Sequence, residues 1–463
     1  MRVLICIGIV AWMTLGTTNA PAREEAKEMG GTKLMAGFAR VDITPAVGCE
    51  IPGGFAKNIS KGVHDPLYAE AAVFMNGKTS LAIVGADIIM APNDVVAEAR
   101  QQAEKQTGIP GRNILIAASH THNGGPIVDC LGSESDPAYC ALVAQRIAEA
   151  IVHAQANAVE ARVGVGVGHE DTVGFNRRFK MKDGSVRTHP GKMNPDIVEP
   201  AGPIDPDVGI ISVVDAQGGM LGCIVNYTLH GTVIGGSELS ADWIGYLRKT
   251  IRGVLGDENL GVVFLNGACG DVTQVDNRSP RPSEFGEAWA KRVGMTVGAE
   301  ALKVIARLEY ADKTPLAAAT EILDLPIRDL AGSDEELVAR ETPAAGLGSS
   351  HNDVYLKEAR LVREMKVKSP TVPVEVQALR IGSAILVTNP TEYFCALGLS
   401  IKKGSPMKPV FVVELANGYA GYCPTAEAFQ GGGYEIRTAR SSYLAPGTGE
   451  RIAERSIGLL GKL

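Results

Sequence analysis

Residues 80–125 read "SLAIVGADIIMAPNDVVAEARQQAEKQTGIPGRNILIAASHTHNGG", and this stretch sets the architecture. The segment "SLAIVGADIIM" (80–90) is a run of small and β-branched apolar residues suited to a buried strand. In "NDVVAEARQQAEKQTG" (93–108) the apolar positions recur at helical spacing, with Asn93 as the expected cap and Gly108 as the stop. "NILIAAS" (113–119) returns to strand. A strand, a crossover helix and a second strand form a βαβ unit, whose two strands pair in parallel. At the exit of the second strand, "SHTHNGG" (119–125) holds two of the eight histidines, His120 and His122. Strand ends in α/β sheets are where ligand sites form.

The alternation continues in both directions. "ALVAQRIAEAIVHAQAN" (141–157) reads as a helix, 209–227 as a hairpin turning at Gly218 and Gly219, and 242–256 as a helix. "LGVVFLNGACGD" (260–271) reads as a strand ending in a glycine-rich loop, and a helix follows at 287–308. Further on, 316–327 looks like an edge strand, and 332–341 like a short helix with Ser333 and Glu336 spaced as a capping box. After the loop 342–352 come a helix at 353–365 and strands at 373–390 and 408–422. The expected fold is therefore α/β: a mixed, largely parallel sheet core with flanking helices and a metal site at strand-end loops. No internal repeat or long linker interrupts it.

Arg2, the apolar run 3–16 and the small or polar "TTNAPA" (17–22) read as a signal peptide over 1–20, cut after Ala20. Residues 21–33 read as a flexible leader and 34–463 as one domain, and the protein is expected to be secreted or periplasmic. A net charge of −7 without a block of basic residues leaves no electrostatic footprint for nucleic acid. Seven cysteines remain beyond the signal. In an exported chain, Cys130 and Cys140 are the pair expected to bridge, across the polar loop "LGSESDPAY" (131–139).

Five polar segments fall at strand ends: 119–125, 174–179 ("GFNRRF"), 226–232 ("NYTLHGT"), 266–273 ("NGACGDVT"), and 389–394 together with 417–424. If the strand continues, His120 and His122 share one face. With His230 and Glu392 they would make a nitrogen- and oxygen-rich site of the kind zinc favours. The competing reading makes them loop histidines bonded to nearby backbone. "NGACGDVT" can present amide donors with the Thr273 hydroxyl at the rim, or form an ordinary turn with Asp271 as its cap. Arg177 suits a carboxylate or carbonyl, and Tyr419 and Tyr422 can face one cavity.

Taken in order, these segments resemble the neutral/alkaline, non-lysosomal ceramidase family, zinc-dependent amidases that cut the N-acyl amide of ceramide. "GFARVDITPAVG" (37–48) is similar to the family's first strand and D-I-T-P turn, and "SHTHNGGP" (119–126) to its T-H-T-H-S-G-P-G-G. The likeness runs from about Gly37 to about Thr438. It implies zinc ligands at His120, His230, Glu392 and Tyr422, with His122 lining the site, Tyr419 and Arg177 facing substrate, and Asp242 matching the acid of a family S-D-N. Where the family has G-D-V-S-P-N with a serine nucleophile, this chain reads "GDVTQVDN" (270–277). Thr273 therefore stands in the nucleophile position beside Asp271. The family's C-terminal immunoglobulin-like domain is expected to be absent.

The expected function is that of a secreted zinc amidohydrolase hydrolysing ceramide to sphingosine and fatty acid. Catalytic positions fall at Thr273, Asp271, His122, Arg177 and Tyr419. The alternatives are a zinc hydrolase of another N-acyl amide or ester, and an inactive ligand-binding homologue. The expected partners are a lipid or N-acyl amide substrate and peripheral contact with membrane lipid, with no nucleic acid and no protein partner.

Overall fold

The computed structural model describes residues 33–311, 313–345 (the last three by backbone alone) and 351–463. The expected signal peptide, the leader as far as Thr32, and 346–350 of the expected loop lie outside the described residues. Lys33–Leu463 form one unit.

Eight strands make the main sheet, in the spatial order Gly261–Asn266, Met220–Tyr227, Asp207–Asp215, Val159–His169, Met35–Asp42, Tyr68–Met75, Ser80–Ala86, Ile114–Ala118. The two edge pairs are parallel and everything between them is antiparallel. The mixed α/β architecture is as expected, but the sheet is not largely parallel. A parallel pair needs a crossover helix, and only Asn93–Thr107 and Asp242–Leu255 serve this sheet in that way. The hairpin at Gly218 and Gly219 has no room for one.

The sheet curls so that its parallel edges meet. Gly85 lies so close to the other edge that an added Cβ would sit 2.3 Å from the Phe264 carbonyl oxygen. Buried ion pairs lock this closure: Arg248 and Arg252 of the Asp242–Leu255 helix reach, in the opposite half, Asp87 just past the strand Ser80–Ala86 (2.6 Å) and Glu70 on the strand Tyr68–Met75 (2.8 Å). Asn266 donates across the join to the Ser119 carbonyl at 3.4 Å.

A second sheet of four strands, Leu316–Pro326, Thr371–Ile381, Ala384–Thr388 and Val410–Val413, ends in a third parallel pair around the Cys395–Gly404 helix. Leu316–Pro326 is its edge, as expected. One apolar core joins the sheets, with Phe74, Leu115, Val263, Leu386 and Phe411 in the same cluster. The Ser333–Glu336 capping box forms reciprocally. Its helix, Asp334–Ala345, runs further than the sequence indicated.

Two local expectations are corrected. Asn93 is the first residue of its helix rather than the cap; Pro92 precedes it, and the Asn93 side chain instead accepts the Tyr419 N–H at 2.9 Å. Cys130 and Cys140 are both free. Cys130 faces the cavity described below, while the Cys140 thiol sits on a helix and donates to the Ile127 carbonyl at 3.5 Å.

Candidate metal centre

Three parallel pairs deliver their strand-end loops to one place. His120 leaves Ile114–Ala118, His230 leaves Met220–Tyr227, and Glu392 follows Ala384–Thr388. Tyr422 pairs directly with Glu392 in a two-residue parallel ladder. The His120 and His230 loops meet in a bridge between Thr121 and Gly231, where a Cβ on Gly231 would stand 2.6 Å from the His120 carbonyl oxygen.

His120 and His122 do not share a strand face, because the strand stops at Ala118 and His120 takes a left-handed φ of 64°. That conformation is uncommon for a side chain with a Cβ, and the surrounding structure must hold it. The two rings converge regardless, at a centroid separation of 4.8 Å, and His230 lies 4.5 Å from His120. Ligand nitrogens of His120, His122 and His230 all fall within 4.8 Å of one another.

The hydrogen bonds fix what this cluster presents. His120 Nδ1 lies 2.6 Å from the Ile89 carbonyl, and His230 Nδ1 lies 2.7 Å from the Cys269 carbonyl. A carbonyl only accepts, so each Nδ1 carries the proton and each Nε2 turns a lone pair inward. Facing them is Glu392 Oε2, at 3.4 Å from His120 Nε2 and 3.7 Å from His230 Nε2. His120 and His230 are 1% exposed and Glu392 3%. Burial pushes the His230 imidazole down to about 3, away from protonation. Acceptors thus face acceptors in a buried space, and His120 Nε2 and His122 Nε2 have no hydrogen-bond partner among the described residues. The donor set fits a divalent cation, which would satisfy these lone pairs together.

Around the centre stands a layer of donors. Tyr419 donates its hydroxyl to Glu392 Oε1 at 3.1 Å. Arg177 Nη2 donates to the hydroxyls of Tyr422 (3.1 Å) and Tyr434 (3.0 Å), while its Nη1 lies 3.3 Å from His230 Nε2. The two phenols are 2.6 Å apart. Burial pushes Tyr419 and Tyr422 well above the ordinary phenol range, and Tyr434 to about 12, so all three keep their protons at neutral pH. Glu435 is fully buried and binds Arg177 Nε (2.9 Å), Arg178 (2.8 Å) and the Thr188 hydroxyl (2.7 Å), which sets the aim of Arg177.

The structure therefore gathers His120, His122, His230, Glu392, Tyr419, Tyr422 and Arg177. Asp271 is placed differently: its carboxylate accepts from Asn176 (2.8 Å) and from the Cys395 N–H (2.8 Å) at the start of the Cys395–Gly404 helix. Both oxygens serve as braces, and it lines a neighbouring cavity instead. Thr273 pairs with Phe175 in the two-residue strand just before Arg177, and its hydroxyl accepts from the Val275 N–H at 3.4 Å. It is not among the residues lining the histidine cavity. That cavity holds about 110 Å³ and has apolar walls from Phe55, Met90, Val128 and Leu131. Sequence reasoning missed Tyr434 and Glu435; the available signal was the glycine run 431–433 directly before them.

Fold and site together define an α/β protein with a buried histidine–carboxylate centre at the ends of its parallel strands. The chain is similar to neutral ceramidase in sequence and in fold. No family model matches the chain. The neutral ceramidase of Pseudomonas aeruginosa is 25% identical over 439 residues, covering 81% of this chain and 64% of that protein. The crystal structure of neutral ceramidase from Pseudomonas aeruginosa superposes with a TM-score of 0.72 at 20% identity, covering 93% of this chain and 74% of the other. A ceramidase complexed with C2 gives 0.70 at 18% identity, covering 93% of this chain and 75% of the other. The resemblance read from the sequence is borne out. The chain spans 64% of the curated relative's length.

Proposed function

We propose that this chain is an exported zinc-dependent amidohydrolase that cuts the N-acyl amide of ceramide to sphingosine and fatty acid. The observation that carries the reading is the buried set of inward lone pairs on His120, His230 and Glu392, with Tyr422 beside them. Those four would hold the ion, and His122 would line the same space. Zinc bound there supplies Lewis acidity and makes a water nucleophilic at neutral pH.

The chain's own groups supply the rest. Arg177 is proposed to meet the charge that develops on an amide oxygen, and the Tyr419 hydroxyl, which donates to Glu392 in this structure, would turn to that oxygen when substrate binds. Glu435 keeps Arg177 from swinging away. The apolar walls exclude bulk water and take the start of an acyl chain. Thr273, outside the lining of the histidine cavity, is proposed either as nucleophile or as a positioner of the water; both need its hydroxyl, so a trapped acyl-enzyme in the wild type that is missing from Thr273→Val marks the nucleophile, and lost turnover with no acyl-enzyme in either marks the positioner. Lipid substrate would be met peripherally, at a membrane surface. Among the described residues, no helix is long and apolar enough to cross a membrane.

A second reading, a zinc hydrolase of a shorter N-acyl amide or an ester, draws support from the narrow cavity of about 110 Å³. Ceramides of graded acyl length, assayed beside short N-acyl amides and esters, decide between them. Highest kcat/KM on long-chain ceramide upholds the first reading, and a preference for short acyl groups replaces it with the second. A metal-loaded protein that turns over none of them would be a ligand-binding homologue.

A further inference from the structure

Beside the turn Tyr434–Ile436, and separate from the histidine cavity, lies a second cavity of about 400 Å³ lined by Arg328, Arg340, Glu341, Phe429 and Arg437 among others. Elsewhere the chain pairs its buried arginines with acids: Arg177 and Arg178 share Glu435, Arg248 binds Asp87, and Arg252 binds Glu70. Here it does not. Arg328 is 7% exposed and Arg437 1%, yet among the described residues neither they nor Arg340 has a carboxylate within 4.0 Å.

The Arg328 guanidinium donates to the carbonyls of Ile436 and Leu444 and to the Ser442 hydroxyl, and lies 5.0 Å from the centre of the Phe429 ring. Arg437 stacks 3.6 Å over Tyr355 and uses Nη2 on Asn352 (2.7 Å) and Thr342 (3.1 Å). Its Nε and Nη1 have no partner among the described residues. The acids nearby are otherwise engaged: Glu341 accepts from the Thr438 N–H and hydroxyl, and Asp329 lies 3.3 Å from Lys366. Burial holds the Arg328 guanidinium down to about 10 and Arg437 below its ordinary value, and the Glu341 charge across the cavity offsets this only in part. A buried cation with unpaired N–H donors and no salt-bridged acid is costly unless an anion joins it.

We infer that this cavity is a binding site for a phosphate-type oxyanion, free or as a monoester, held by Arg328, Arg340 and Arg437. These arginines come from three separate segments, so a tetrahedral anion can take hydrogen bonds from all of them where a planar carboxylate would serve fewer. The site shares its turn with the metal centre. Gly433, Ile436 and Arg437 line the cavity, while Tyr434 touches Tyr422 and Glu435 holds Arg177. A bound anion therefore steadies the segment that positions Arg177, whichever metal the centre takes.

The test is calorimetric titration of the full chain with inorganic phosphate, at ionic strength held constant with chloride, beside thermal unfolding in the same buffers. The expected result is one saturable site per chain and a raised Tm. Arg340 is exposed on its helix, so Arg340→Ala keeps the fold by circular dichroism while weakening phosphate by about tenfold, and Arg437→Gln abolishes binding. If Arg437→Gln does not fold, the Arg340→Ala comparison decides alone. Glycerol phosphate competing with phosphate assigns the site to monoesters, and failure to compete assigns it to the free anion. The proposal is overturned if the wild type shows no saturable phosphate site, if folded Arg340→Ala binds as the wild type does, or if acetate binds as tightly as phosphate.

Discussion

At the residue scale, the account rests on acceptors that face each other and on the strained positions that hold them there. His120 (φ 64°) and Asp242 (φ 58°) both take left-handed conformations. Asp242 serves the His230 loop: its carboxylate accepts the N–H groups of Val233, Ile234 and Trp243, and the Trp243 ring donates to the His230 carbonyl at 3.0 Å. Burial, acting against those three donors, raises Asp242 from 3.8 to about 6. A folded pKa above the unfolded one means that the folded state holds the proton more tightly. That stabilisation is present below about pH 3.8 and is lost as pH rises through about 6. Asp242→Asn does not titrate and tolerates the left-handed conformation. The stability of the wild type relative to Asp242→Asn should therefore fall by about 2 kcal/mol between about pH 4 and pH 7, measured by urea unfolding across that range. A constant difference would contradict this.

The residues most legible in the sequence were those repeating one signal, a polar side chain just past an apolar strand. His120, His230 and Glu392 follow that rule, and Arg177, Tyr419 and Tyr422 followed once the order of segments was matched. Tyr434 and Glu435 follow a glycine run rather than a strand, and only the folded chain brings them beside Arg177.

At the scale of elements, three βαβ units do the positioning, and the first was readable in full because strand, helix and strand have different periods. The antiparallel centre of the main sheet was less readable, since alternation of strands and helices along the chain says little about which strands neighbour each other. Asp271 shows the same limit. Its place in "NGACGD" suits catalysis or capping, and the structure gives its carboxylate to Asn176 and to the first N–H of the Cys395–Gly404 helix. Asp271→Ala leaves the Cys395 N–H unpaired and Asn176 with only its bond to the Pro203 carbonyl, and should cost about 2 kcal/mol by urea unfolding, with bound metal unchanged per folded molecule. Wild-type stability with lost turnover would return Asp271 to the chemistry.

At the scale of the molecule, the curl of the main sheet brings distant strand ends together, and the second sheet shares its core. Side chains of both sheets interleave in that core, so 34–463 should unfold as one cooperative domain, with coincident transitions by tryptophan fluorescence and far-ultraviolet circular dichroism. Two separated transitions would divide it. The curl also explains why the candidate metal centre draws on distant parts of the chain: its proposed ligands span residues 120 to 422, and no single local motif supplies them together.

The most direct measurement is metal content and affinity in purified wild type, His120→Ala and His230→Ala, each checked for fold by circular dichroism. The account predicts one zinc per wild-type chain, and affinity lower by at least roughly a hundredfold in either variant, with ceramide hydrolysis lost alongside. A folded wild type that takes up no divalent metal, or variants that bind zinc as tightly as the wild type, would contradict it.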